Sequence, residues 1–167
     1  AGVGGLRYED RSGRNDLVES RVGRDDQNVY FYLRATQAWR PASDLKGLWL
    51  LIDADQQAST GWEGYDFILN RQLAGYETAL EKNLGGWAWE KVGAVQVKVE
   101  GSKLMLAVPR QALALSSDVP IKFDFKWWDN AMLAPGAANS PGPDLRFILP
   151  ADTVTVHSSG DKSLPAA

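Results

Sequence analysis

Much of the chain carries apolar and polar residues in alternation, the period-two pattern of strands with one buried face. From Val29 to Ala35, Val29, Phe31 and Leu33 fall on one face and Tyr30, Tyr32 and Arg34 on the other. Val95, Val97 and Val99 alternate with Gln96 and Lys98. A Glu100-Gly101-Ser102 turn leads into Lys103–Val108, where Leu104, Leu106 and Val108 share a face. Leu48–Ile52 is apolar throughout, as in a strand covered on both sides. Ile121–Trp128 sets Phe123, Phe125 and Trp127 against Asp124, Lys126 and Trp128. Shorter strands are predicted over Leu17–Val22, Tyr65–Leu69, Gly75–Glu81 and Trp87–Lys91, the last with both tryptophans on one face. Arg146–Leu149 and Thr153–Val156 read as edge strands at the end of the chain. Turn residues from Gly23 to Asn28 and a Pro/Gly/Ala/Asn loop over 131–143 punctuate them. Pro109 opens the one helical turn, reaching Leu115, because proline suits a helix start. The expected architecture is all-β: a sandwich of two antiparallel sheets with one short helical turn.

The length, 167 residues, suits a single core. We expect a loosely ordered segment over 1–16, the β-sandwich domain over 17–157 and a flexible tail over 158–167. Ala1–Gly5 reads as a linker or a trimmed end. The net charge of −3 gives no basic footprint for nucleic acid. No run of eighteen apolar residues is present to span a membrane. With no cysteine and one histidine, His157, thiolate chemistry and multi-imidazole metal sites are excluded. The sequence has no G-x-S-x-G, H-E-x-x-H or P-loop, and nothing marks a catalytic carboxylate pair, so we expect no enzyme activity.

Two features carry candidate chemistry. The first is the stretch from Leu50 to Arg71, where an apolar run ends in Asp53-Ala54-Asp55, a glycine-punctuated loop follows, and a second apolar run spans Tyr65 to Leu69 with Asp66 at the start of that strand. Three carboxylates gathered with loop carbonyls match the oxygen-rich shell of Ca²⁺. The spacing is not that of an EF-hand, since Ala58 stands where the glycine would be and Gly64 where the bidentate glutamate would be. Acids that simply cap the turn are the plainer alternative.

The second feature is aromatic. Seven tryptophans are many for this length, and several sit beside charged residues. They group as Trp87 with Trp89, Trp128 with Asp124 and Lys126, and Tyr30 and Tyr32 with Arg34. A sugar offers a flat C–H face to a ring and hydroxyls to the polar groups around it. Rings that only cover the second face of a sheet are the alternative. Lys126 and Asp124 on an interior strand argue for a cleft, because charges rarely sit there unless paired or facing one.

The motifs D-A-D and T-G-W-E-G-Y-D-F-I-L-N (Asp53 to Asn70), V-P-R-Q-A-L (Val108 to Leu113), F-K-W-W-D-N (Phe125 to Asn130) and L-R-F (Leu145 to Phe147) resemble, in order and spacing, the family 9 carbohydrate-binding modules among the DOMON-like β-sandwiches. The resemblance covers roughly Asp16 to Ile148. It implies a jelly-roll-like sandwich and structural Ca²⁺ on Asp53, Asp55 and Asp66. It also implies a secreted, cell-surface or periplasmic bacterial setting, and a polysaccharide or oligosaccharide partner for a covalently linked catalytic domain. The carbohydrate-binding residues expected are Trp128, Trp87, Trp89, Lys126, Asp124, Tyr32 and Arg34. The alternative function is a structural or interaction domain that packs on a neighbouring catalytic domain and binds no sugar. Haem, which another DOMON-like branch binds, is not expected, because Met105 and Met132 are the only methionines and His157 lies in the tail.

Overall fold

The computed structural model describes residues 16–40, 45, 47–115, 121–129 and 152–156. The expectations for the N-terminal segment, the 131–143 loop, Arg146–Leu149 and the C-terminal tail fall outside those residues. The described chain is all-β, with nine strands: β1 (Leu17–Arg24), β2 (Asn28–Ala35), β3 (Leu48–Asp53), β4 (Phe67–Ala74), β5 (Glu77–Gly85), β6 (Ala88–Glu100), β7 (Lys103–Pro109), β8 (Ile121–Asp129) and β9 (Asp152–Val156). A 3₁₀ turn over Arg110–Leu113 stands where the helical turn is expected. Pro109 caps it, and Ala114 ends it in the left-handed region. No described helix is long and apolar enough to cross a membrane.

All pairings are antiparallel, and hydrogen bonding runs unbroken through one curled sheet in the order β1-β2-β7-β6-β5-β4-β3-β8-β9. The curl turns on β6. Its first part pairs with β5 from Ala88 to Gln96, and its last part pairs with β7 from Val97 to Glu100. The stretches Trp87–Lys91 and Val95–Val99, expected as separate strands, are therefore one bent ribbon entered from the Gly86-Trp87 turn. Because β6 changes partner midway, it carries the sheet from one side of the core to the other.

The inward faces are those that alternation predicts. Val29, Phe31 and Leu33 on β2, Leu104, Leu106 and Val108 on β7, and Phe123, Phe125 and Trp127 on β8 are all buried in one cluster. Phe31 meets Phe123 and Phe125 edge-on, at 5.8 and 5.4 Å between ring centroids, so the two halves of the curl pack face to face. Burying each such side chain contributes roughly 1.5–3 kcal/mol. Every residue of β3 is buried, as its unbroken apolar run predicts. Leu48, Leu50 and Ile52 face this core, while Trp49 and Leu51 face outward into a second, smaller cluster.

One irregularity positions the outer face. In β4 the register shifts between Leu69 and Leu73, and Asn70 there adopts φ 69°. Asparagine tolerates that left-handed backbone better than most residues. Its buried amide donates to the carbonyl oxygens of Leu45 and Leu48, at 3.0 and 2.7 Å, while its own N–H is taken by Thr78 Oγ1 at 2.9 Å.

Candidate functional site

The polar loop between β3 and β4 forms an arm folded over the outer face of the sheet. Its tip is a miniature hairpin in which Trp62 and Tyr65 exchange both backbone hydrogen bonds, at 2.9 and 3.0 Å. The two residues between them, Glu63 and Gly64, have φ 52° and 92°. Positive φ at both positions marks a tight primed turn. Residues paired directly across a hairpin point to the same side, so Trp62 and Tyr65 come down together on the sheet. Gly61, at φ 64°, precedes the turn, and a Cβ there would lie 2.2 Å from the Tyr65 carbonyl oxygen.

Beneath the arm, the outward residues Trp49, Leu51, Ile68 and Trp128 are buried, and Trp62, Tyr65, Trp87 and Trp89 pack against them. Trp49 and Trp128 are direct cross-strand neighbours on β3 and β8 and meet edge-on at 5.2 Å. Trp62 lies parallel to Trp128, with centroids 5.7 Å apart and planes within 2°. Trp87 touches Trp62 at 4.7 Å and Trp89 at 5.6 Å, both edge-on. Trp87 is also held from the side by Arg71, whose guanidinium stands 5.5 Å from the ring centre. Arg71 in turn pairs with the buried Glu81 at 3.1 Å. The indole N–H groups of Trp89 and Trp128 are buried without a hydrogen-bond partner.

Between arm and sheet lies a pocket of about 120 Å³ lined by Leu51, Trp62, Glu63, Tyr65, Lys126 and Trp128. Lys126 projects outward because it alternates with Phe125 and Trp127, which face the core. Three of the six lining residues are aromatic, and Glu63 and Lys126 bring one charge of each sign.

At the base of the arm, carboxylate oxygens of Asp53, Asp55 and Asp66 lie within 4.8 Å of one another, a group that could hold a metal ion. Each also braces the arm. Asp53 accepts from the Gln56 N–H at 2.7 Å, Asp55 from the Gln57 N–H at 2.9 Å and the Thr60 hydroxyl at 3.0 Å, and Asp66 from the Ala54 N–H at 2.9 Å. Burial, reinforced by the Asp66 and Asp55 charges, raises the Asp53 pKa above that of an ordinary aspartate, although the Gln56 N–H opposes this. The donor set fits a hard cation: it is all oxygen, and the like charges repel until something positive lies between them.

The expected sugar residues divide. Trp128, Trp87, Trp89 and Lys126 share the outer face around the arm. Asp124 lies directly across from Asp53 and accepts from Gln56 Nε2 at 3.3 Å, which places it beside the acidic group at the arm's base. Tyr32 and Arg34 lie on β2, in the other half of the curl. There Arg34 pairs with Glu19 at 2.8 Å, and the Arg21 guanidinium stands 5.8 Å from the Tyr32 ring centre. Sequence reasoning missed Trp62, Tyr65, Glu63 and Trp49. The signal present for the first three was Trp-Glu-Gly-Tyr, a two-residue turn flanked by aromatics. Comparison with protein-family models, with curated proteins and with solved structures gives no match.

Proposed function

We propose that this protein is a non-catalytic carbohydrate-binding module, with the sugar gripped under the arm and a Ca²⁺ ion held at the arm's base. The observation that carries the reading is the parallel pair Trp62 and Trp128 beside a pocket with charged lining groups. A ring pair of this kind offers flat apolar surface to the C–H faces of a sugar, and the lining groups offer partners to its hydroxyls. In this reading the two halves of the curled sheet are the two faces of a jelly-roll-like sandwich. The natural setting is extracellular or periplasmic, where the module would raise the local concentration of a linked catalytic domain on a polysaccharide.

A sugar inserted between two rings needs about 7–8 Å, two van der Waals contacts of roughly 3.5–4.0 Å each. With centroids 5.7 Å apart and no ring-sized gap between them, the Trp62–Trp128 pair is closed, so ligand entry requires the arm to lift. Ca²⁺ at Asp53, Asp55 and Asp66 would neutralise their repulsion and fix the hinge from which the arm rises.

The closed pair also favours a second reading. In it the rings are occupied with one another as a small outer core, in a domain that packs on a neighbour and binds no sugar.

Gel retardation on soluble β-glucan, xylan, mannan, pectin and alginate, with and without chelator, separates the two. Retardation of the wild type and its loss in Trp62→Ala supports the sugar site. No retardation on any polymer sinks it. Trp62 is the residue to replace because it is half-buried, whereas Trp128 is only 4 % exposed, and truncating it would cost about 3–5 kcal/mol of stability.

A further inference from the structure

Arg71 stands where strict alternation would not put it. Leu69 faces the core, so a regular β4 would turn the side chain two positions on to the core as well. The register shift between Leu69 and Leu73 intervenes, with Asn70 at φ 69°. Arg71 thereby comes out on the outer face, where Glu81 and Trp87 lie against it. Bulges that re-aim one side chain are over-represented at sheet edges and next to functional sites.

Glu81 is the second unusual feature. It is the cross-strand neighbour of Ile68 on the outer face and only 2 % exposed. Taking a carboxylate and a guanidinium out of water is costly, and a buried ion pair is weak evidence of added stability. What the pair does achieve is orientation. Glu81 Oε2 lies 3.1 Å from Arg71 Nε, and the Trp87 ring flanks the guanidinium. The two Nη groups bond to none of the described residues and are not buried, and the Arg71 side chain keeps 21 % of its surface exposed. Lys91 is the cross-strand neighbour of Glu81 on β6, so it faces the same side. It is exposed and ion-paired to none of the described residues. Two cations thus flank one buried acid beside the half-buried Trp87 and Trp89, which leaves an excess positive charge and an open guanidinium fork.

We propose that Arg71 is a ligand-binding residue, and that the ligand is an acidic polysaccharide in which a uronate carboxylate accepts from the two Nη groups with Lys91 alongside. The inference rests on the sugar reading above and names its substrate class. A planar guanidinium with two outward N–H groups matches a carboxylate bidentately, in charge-assisted hydrogen bonds of the stronger kind. Because Glu81 and Trp87 already hold the guanidinium, little side-chain freedom is lost on binding. Trp87 touches Trp62 at 4.7 Å, so the uronate on Arg71 lies next to the unit gripped under the arm.

The test uses the full chain as wild type, Arg71→Lys and Lys91→Gln, with pectate and alginate as acidic probes and soluble β-glucan, xylan and mannan as neutral ones, each at low and at high salt. Wild-type retardation is expected on an acidic polymer in preference to the neutral ones, weakening as salt rises. Arg71→Lys keeps a positive charge beside Glu81 but lacks the fork, so its affinity for that polymer should fall about tenfold. Lys91→Gln, a change at an exposed position, should melt as the wild type does and lose about threefold. Wild-type affinity in Arg71→Lys, whatever its melting temperature, makes the arginine structural and overturns the proposal while leaving the sugar reading standing. Should Arg71→Lys melt far below the wild type and bind poorly, Lys91→Gln decides: unchanged affinity there, with retardation indifferent to salt, overturns the proposal. Retardation on a neutral polymer in preference to the acidic ones overturns the substrate class alone. No wild-type retardation on any polymer removes the sugar reading and this inference with it.

Discussion

Two residues show how single backbone positions hold the site. Gly61 permits the arm tip, since any Cβ there collides with the Tyr65 carbonyl. In Gly61→Ala the hairpin cannot close, so Trp62 should leave Trp128. The near-UV circular dichroism of the stacked indoles should fall sharply, and the far-UV β signal should stay. Near-UV signal equal to wild type would show that the arm tolerates the clash. Asn70 holds the other side, tying β4 to Leu45 and Leu48. Asn70→Ala removes both hydrogen bonds and puts alanine into the left-handed region. The expected loss is about 2–4 kcal/mol in urea unfolding at unchanged m-value. Asn70→Asp should be worse, because a carboxylate would face two carbonyl oxygens.

At the scale of elements, β6 and the β1–β2 hairpin carry the clearest consequences. Among the described residues, the first part of β6 pairs only with β5, which leaves its other edge open. A register shift at Val92 and the exposed charges Glu90 and Lys91 disturb that edge, as protected edge strands require. Replacing Glu90 and Lys91 together by threonine should produce concentration-dependent association in light scattering. A monomeric variant at every concentration would show that the bulge alone suffices.

In the β1–β2 hairpin, the Asp25 carboxylate accepts from the Tyr30 hydroxyl at 2.6 Å and from the N–H groups of Gln27 and Asn28. The Tyr30 hydrogen bond, more than any other influence, lowers the Asp25 pKa below its ordinary 3.8. The same bond raises Tyr30 above its ordinary 10.0. The lowered acid contributes stability that is present above pH 3.8 and lost as pH falls through its folded value. The raised phenol contributes stability that is present below pH 10.0 and lost as pH rises through its folded value. Melting temperature against pH should therefore decline at both ends, and Tyr30→Phe should flatten both limbs. Superimposable profiles would mean that the pair adds nothing.

For the whole molecule, the acidic group at the arm's base could hold a metal ion, and such an ion would tie the arm to the sheet. Ca²⁺ that binds only the folded state, at a hundred times its dissociation constant, adds about 2.7 kcal/mol. For a domain of this size that corresponds to a rise in melting temperature of very roughly 5–10 °C. Chelator should reverse it, and Asp53→Asn with Asp66→Asn should abolish the response. A melt indifferent to Ca²⁺ and chelator, together with elemental analysis finding no bound metal, would remove the ion from the account.

What the chain alone determined is the local part. Alternation set which side chains of β2, β7 and β8 face the core. The unbroken run of β3 announced a strand covered on both sides, and Asp53, Asp55 and Asp66 were legible as a group because a short loop brings them together. These follow from strand periodicity and from nearness along the chain. The tertiary structure decided the rest. Neither the change of partner within β6 nor the seating of Trp62 against Trp128, sixty-six positions further on, follows from local pattern. The same holds for the separation of Tyr32 and Arg34 from the tryptophans, since aromatic-polar alternation reads alike on either half of the curl. Period two says that a residue faces outward. Only the order of strands in the sheet says which other residues face outward beside it.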